Sequence, residues 1–210
     1  MCEENPLVAT LYNLKPAFQT QLRPLVGRLA SAGVTANQVT VAAAGLSIMT
    51  GVALAGFGPA NPWLFWLLAP VLLVRMALNA IDGMLAREHG QASRLGFFLN
   101  ELGDVVSDLA LTLPFALVAP FTTAGVVAFA LAAIIAEFAG VLGIGLGAGR
   151  RYDGPLGKSD RALAIGLLGA LVGSSISLPS IAAWIFPALA LLAGFTAVNR
   201  VRRALNHVDH

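Results

Sequence analysis

"NAIDGMLAREHGQASRLGFFLNELGDVVSD", residues 79–108, gathers Asp82, Glu101, Asp104 and Asp108 in a 210-residue chain that is 57% hydrophobic and only 11% charged. What such acids can do depends on the solvent around them. A mean hydropathy of +0.78 does not describe a water-soluble globule, so the chain reads as an all-α integral membrane protein. One cysteine, Cys2, excludes an intrachain disulfide and a thiolate-built metal site. The net charge of +2 is too small to argue for a nucleic-acid partner. The opening residues lack a basic n-region followed by an apolar run, so the N-terminus is expected to be retained.

Outward from this stretch, six apolar segments are long enough to cross a bilayer: residues 38–57, 62–87, 95–119, 122–148, 161–179 and 181–200. The loops "GFGPANP" (56–62), "APFTT" (119–123) and "SSISLPS" (174–180) carry no charge, whereas "AREHGQASR" (86–94) and "GRRYDGPLGKSDR" (149–161) are basic, as are both ends. This alternation puts both termini in the cytoplasm and makes membrane lipids the surrounding partner. The expected division is an interfacial segment over 1–37 and a six-helix transmembrane domain over 38–210. In the first, Leu7, Leu11, Leu14, Phe18, Leu22, Leu25 and Leu29 recur at helical spacing among basic residues. They predict an amphipathic interfacial helix with breaks at Pro16 and Pro24. Gly33 is placed to end it, and Thr35 with Gln38 can form a capping box for the first span. In "GVLGIGLGAG" (140–149), Gly143 and Gly147 are spaced for close helix packing within or between subunits, and a homodimer is expected.

The segments flanking 86–94 run antiparallel, so their polar faces can meet. Arg75, Asn79 and Asp82 share one helical face, as do Asn100, Asp104 and Asp108. At about 1.5 Å per residue, Asp82 and Asn100 reach similar depth, then Asn79 and Asp104, then Arg75 and Asp108. The deepest rung reads as a buried structural ion pair, Arg75 with Asp108. The two shallower rungs present carboxylate and amide oxygens, hard ligands that suit Mg²⁺, Mn²⁺ or Ca²⁺. A carboxylate in hydrocarbon costs at least about 2.5 kcal/mol, so such a set needs cations or water.

Laid out in this way, "DGMLAREHGQASRLGFFLNELGD" resembles the signature of the CDP-alcohol phosphatidyltransferases: Asp-x2-Asp-Gly-x2-Ala-Arg, eight residues, then Gly-x3-Asp-x3-Asp. Asp82, Gly83, Ala86, Arg87, Gly96 and Asp104 stand at that spacing. "TANQVT" (35–40) is similar to the family's Thr-Pro-Asn, with Ala36 for proline and Asn37 retained. The resemblance implies transfer of a phosphatidyl or related phosphoalcohol group from a CDP-linked lipid to an acceptor alcohol, with release of cytidine monophosphate. It implies Asp82 as a metal ligand, and Asp104 as a ligand or as the base that takes the acceptor's proton. Arg87 would pair with a phosphate or orient a carboxylate. Gly83, Ala86, Gly96 and Asn37 would lie along the nucleotide.

Asn79 and Asn100 depart from the pattern, since the family has aspartates there. An amide offers an oxygen without charge. Two carboxylates balance one divalent ion where four would balance two, so one Mg²⁺ or Mn²⁺ is favoured, with Asp82, Asp104, Asn79 and Asn100 as its candidate ligands. Arg150, Arg151, Lys158 and Arg161 read either as positive-inside anchors or as a site for an acceptor carrying a phosphate. The missing aspartates keep open a catalytically silent family member that binds the nucleotide lipid or a partner membrane enzyme. A cation transporter, with Glu137 on its path, is a third reading. The expected location is a bacterial inner membrane, with the site facing the cytoplasm.

Overall fold

The structure, a computed structural model, describes the backbone of residues 6–208 and the side chains of residues 18–207. Among the described residues seven helices follow in order: α1 (Pro6–Ser31), α2 (Ala36–Phe57), α3 (Leu68–Glu88), α4 (Arg94–Thr112), α5 (Thr123–Gly145), α6 (Lys158–Gly173) and α7 (Ile185–Val208). Short 3₁₀ turns at Pro62–Leu67, Leu113–Leu117 and Ser180–Trp184 accompany α3, α4 and α7. Among the described residues there is no strand. Among the described residues four stretches are long and apolar enough to cross a membrane: Ala36–Phe57, Pro62–Glu88, Thr123–Gly145 and Ser180–His207. The other two expected spans are helical as well, but α4 carries the acids and α6 has only 16 residues. The chain is thus an all-α integral membrane protein.

Helix boundaries follow local chemistry. α1 runs unbroken through Pro16 and Pro24, against the expected breaks. Each proline removes one backbone donor, and Pro24 lies on the exposed side of the helix, where solvent can satisfy the freed carbonyl. Gly33, at φ +77°, ends α1 in a Schellman turn: its N–H reaches the Ala30 carbonyl at 3.0 Å, and the Val34 N–H reaches Leu29 at 2.9 Å. The expected capping box then opens α2, with the Gln38 N–H on Thr35 Oγ1 at 3.2 Å and the Thr35 N–H on Gln38 Oε1 at 2.9 Å. Gln91, from the loop between α3 and α4, adds a third connection by accepting from the Ala36 N–H at 2.6 Å. Ser93 caps α4 by accepting from the Gly96 N–H at 2.9 Å.

Packing divides the chain into two compact units, Met1–Gly45 with Leu73–Gly103, and Leu46–Leu72 with Asp104–His210. In the first, Val26, Ala36, Val39, Ile81, Met84 and Leu85 form the core, with Leu22, Leu29 and Ala30 of α1 packed against it. The face that α1 buries therefore centres on Val26, while Leu25 of the expected stripe is 44% exposed. Arg23 on α1 pairs with Glu88 at the end of α3 at 3.1 Å, and that hydrogen bond holds the guanidinium above its ordinary pKa.

The second unit is built around an aromatic cluster. Phe115 has ring centroids at 5.0 Å from Phe65, 5.8 Å from Phe121 and 5.5 Å from Phe186, and Phe129 lies 5.8 Å from Phe186. α5 packs on α7 through small residues, Ala136, Ala139 and Ala197. The glycine-rich end of α5 departs from expectation. The helix stops at Gly145, and Gly147, at φ +75°, is the left-handed residue of a second Schellman turn. Gly140 and Gly143 make room for the returning chain: a Cβ on either would meet the carbonyl oxygen of Arg151 or of Gly149 at 2.6 Å, and at Gly140 the Arg200 side chain of α7 comes within 3.0 Å as well.

Candidate active site

In the first unit Asp82 points inward from α3 and is 4% exposed. Its Oδ2 accepts the hydroxyl of Thr40 at 2.7 Å. Thr40 stands one turn inside α2, beyond the capping box, so the local order of "TANQVT" decides where the hydroxyl meets the acid. Asn79 lies one turn earlier on α3 and is half-buried. Arg87 is exposed and folds back along α3, where a Cβ at Gly83 would lie 3.0 Å from its Nη1. The expected space beside Gly83 is therefore used by Arg87. Gly96 similarly admits the Asn37 amide, since a Cβ there would come 2.7 Å from Asn37 Oδ1. Ala86 packs on the Val26 core, and Asn100 and Glu101 are half-buried on α4.

In the second unit Asp104, 7% exposed, accepts a hydrogen bond from the Lys158 ammonium at the first residue of α6. One turn along α4, Asp108 accepts from Arg161 at 3.1 Å. The counter-charge expected for Asp108 was Arg75. Within the second unit, α6, remote in sequence, brings Arg161 to the same carboxylate. Arg75 itself is buried, at 4% exposure.

Glu137 on α5 is the centre of a cluster that sequence left undecided. Its carboxylate receives Arg150 at 2.9 Å, Arg161 at 2.8 Å and Arg200 at 3.3 Å. Arg200, 1% exposed, also donates to the Ala136 carbonyl at 2.6 Å and to the Asp153 carbonyl at 3.3 Å. Arg161 and Arg200 are thus interior residues held by acids and carbonyls, and not surface anchors; charge alternation counts a basic residue near a helix end without registering its burial. Arg151 pairs with Asp153 at 2.8 Å, and Arg150 stacks its guanidinium 4.8 Å from the Tyr152 ring centroid. Sequence reasoning also missed Thr40 as a partner of Asp82. Its place at the fourth position after Ala36 was the available signal, because that is one turn into the capped helix.

Among the described residues no three of His, Cys, Asp and Glu lie together as a metal-holding group, so an ion would need amide or hydroxyl oxygens to complete its shell. In the first unit Asp82 has the Thr40 hydroxyl at 2.7 Å and Asn79 one turn earlier on its own helix, oxygen-bearing groups of the hard kind that a divalent ion such as Mg²⁺ or Mn²⁺ takes.

The family model for CDP-alcohol phosphatidyltransferase matches residues 33–197. This chain belongs to that family. It is 46% identical over 199 residues to the inner membrane protein YnbA of Escherichia coli (strain K12), covering 93% of this chain and 96% of that protein. Its fold is similar to that of the phosphatidylinositol phosphate synthase PgsA1 of Mycobacterium tuberculosis, solved in complex with manganese and citrate. The TM-score is 0.69 at 19% identity, over 87% of this chain and 88% of the other. Members of the family are phosphotransferases acting on CDP-alcohols, and they use divalent metals.

Proposed function

We propose that this chain transfers a phosphatidyl group from a CDP-linked lipid, such as CDP-diacylglycerol, to the hydroxyl of an acceptor alcohol, releasing cytidine monophosphate as a step of phospholipid synthesis. One observation carries the reading: in a chain of this family, the buried carboxylates Asp82 and Asp104 keep the family's spacing with Gly83, Ala86, Arg87 and Gly96. Asp82, steadied by Thr40, is a ligand for one Mg²⁺ or Mn²⁺, with the Asn79 and Asn100 oxygens adding to the shell. Asp104 is a ligand or the group that takes the acceptor's proton. When bound, the ion supplies positive charge for the pyrophosphate and for the departing nucleotide. Arg87, exposed beside Gly83, is free to swing onto a phosphate.

Six membrane crossings with both termini cytoplasmic, in a bacterial inner membrane, complete the reading. The alternation of basic and uncharged loops supports them, as does the inner-membrane relative. A phosphorylated acceptor such as glycerol phosphate or inositol phosphate suits the basic segment from Arg150 to Arg161 better than serine does. Arg151 and Lys158, with side chains 21% and 32% exposed, are its more open members, whereas Arg161 is committed to Asp108 and Glu137.

The silent-member reading draws on Asn79 and Asn100. The transporter reading loses its basis in Glu137, which three arginines hold. The test is to incubate purified protein with CDP-diacylglycerol, Mg²⁺ or Mn²⁺ and a panel of alcohols, and to follow cytidine monophosphate. Release that Asp104→Asn abolishes is the expected result. A wild-type signal no greater than that of Asp104→Asn for every acceptor would favour the silent member.

A further inference from the structure

Lys158 stands where a helix disfavours it. As the first residue of α6, its ammonium faces the positive end of the helix dipole, and no acid of its own first turn lies beside it except Asp160, whose Oδ2 caps the Gly157 N–H at 2.9 Å. What holds Lys158 there is Asp104 on α4. The two ends of this pair differ in freedom. Asp104 is buried on a helix, while the Lys158 side chain is 32% exposed on a flexible four-carbon stem. The chain leading to it passes Gly147, Gly149 and Gly154, all at positive φ. Arg161, one turn further along α6, contrasts with it: its side chain is 3% exposed and bound to two carboxylates.

We propose that Lys158 is a displaceable internal counter-ion for Asp104, holding the carboxylate when no divalent ion is bound and yielding it when one is, so that Lys158 sets the metal affinity of the site. The proposal rests on the metal role of Asp104 proposed above. The reason is charge. A buried carboxylate without a cation is costly. A divalent ion and an ammonium on the same buried carboxylate would repel one another. The displaced ammonium becomes available to an anionic substrate group.

Two measurements on the full chain in detergent test this, with Mn²⁺ alone as the probe. The first is the Mn²⁺ dissociation constant from the electron paramagnetic resonance of free ion. Lys158→Met and Lys158→Gln are expected to bind about ten-fold tighter than wild type, the loss of one charge-assisted contact as competitor. Lys158→Arg should stay near wild type, and Asp104→Asn should bind weakly. Affinity in Lys158→Met and Lys158→Gln equal to or below wild type, with Asp104→Asn still impaired, overturns the exchange and leaves the metal site standing. No Mn²⁺ binding by any form overturns both. The second needs no variant. The chain has two lysines, Lys15 and Lys158, so amine acetylation read by mass spectrometry follows Lys158 with Lys15 as internal control. Saturating Mn²⁺ should raise the rate at Lys158 several-fold. An unchanged or reduced rate overturns the proposal.

Discussion

Thr40 and Asp82 are joined by a 2.7 Å hydrogen bond between two buried side chains, which fixes the first turns of α2 to the acid on α3. Thr40 Oγ1 is also 3.1 Å from the Ala36 carbonyl, so the hydroxyl has a single hydrogen to place between two acceptors. Thr40→Val keeps the shape and removes the donor. It should destabilise the protein by about 1–3 kcal/mol, the cost of leaving a buried acceptor short of its partner. Thr40→Ser should restore most of it. Thermal unfolding of the three forms in detergent checks this, and equal stability of Val and wild type would show that Asp82 does not need the contact.

Gly96 is there for the space its missing side chain leaves to Asn37. Gly96→Ala drives a methyl against Asn37 Oδ1, and overpacking of this kind costs about 1–3 kcal/mol. Adding Asn37→Ala removes the obstructing amide, so the double variant should recover much of the loss in a thermal melt. If the reading of Asn37 as a nucleotide contact holds, that double variant should still show a raised KM for the CDP-linked lipid.

Glu137 compensates three arginines, two of them nearly inaccessible. Glu137→Leu leaves those charges with one fewer acid and should destabilise the fold by about 3–5 kcal/mol. Glu137→Leu combined with Arg200→Met should be milder than Glu137→Leu alone. Additive losses in the double variant would show that the two residues act independently.

Asn79 and Asn100 bear on how many ions the site holds. Restoring aspartate at both adds two carboxylates, which need a cation to sit beside Asp82 and Asp104 without repulsion. The restored protein should gain more thermal stability from Mg²⁺ or Mn²⁺ than wild type does, because an ion that binds only the folded form stabilises it. Metal titration of the melting temperature decides this. An identical response in both forms would remove the charge-balance argument.

The sequence by itself determined whatever depends on neighbours along the chain. The Schellman turn at Gly33, the box of Thr35 and Gln38, and the helices that carry Asp82 and Asp104 all lie where spacing put them, because caps and helical faces are set within a few residues. Prolines and glycines misled where the same local rules were applied to them alone. α1 passes through Pro24, and Gly140 and Gly143 receive a loop from their own chain. Only the tertiary structure decided which charge meets which. Asp104 takes Lys158 from 54 positions away and Asp108 takes Arg161 from 53 away. Glu137 gathers three arginines from one loop and two helices. No periodicity links such residues. In an interior that cannot leave a charge uncompensated, the pairing is settled by how the helices pack, and the cations that looked like surface anchors in the sequence became the counter-ions of the buried acids.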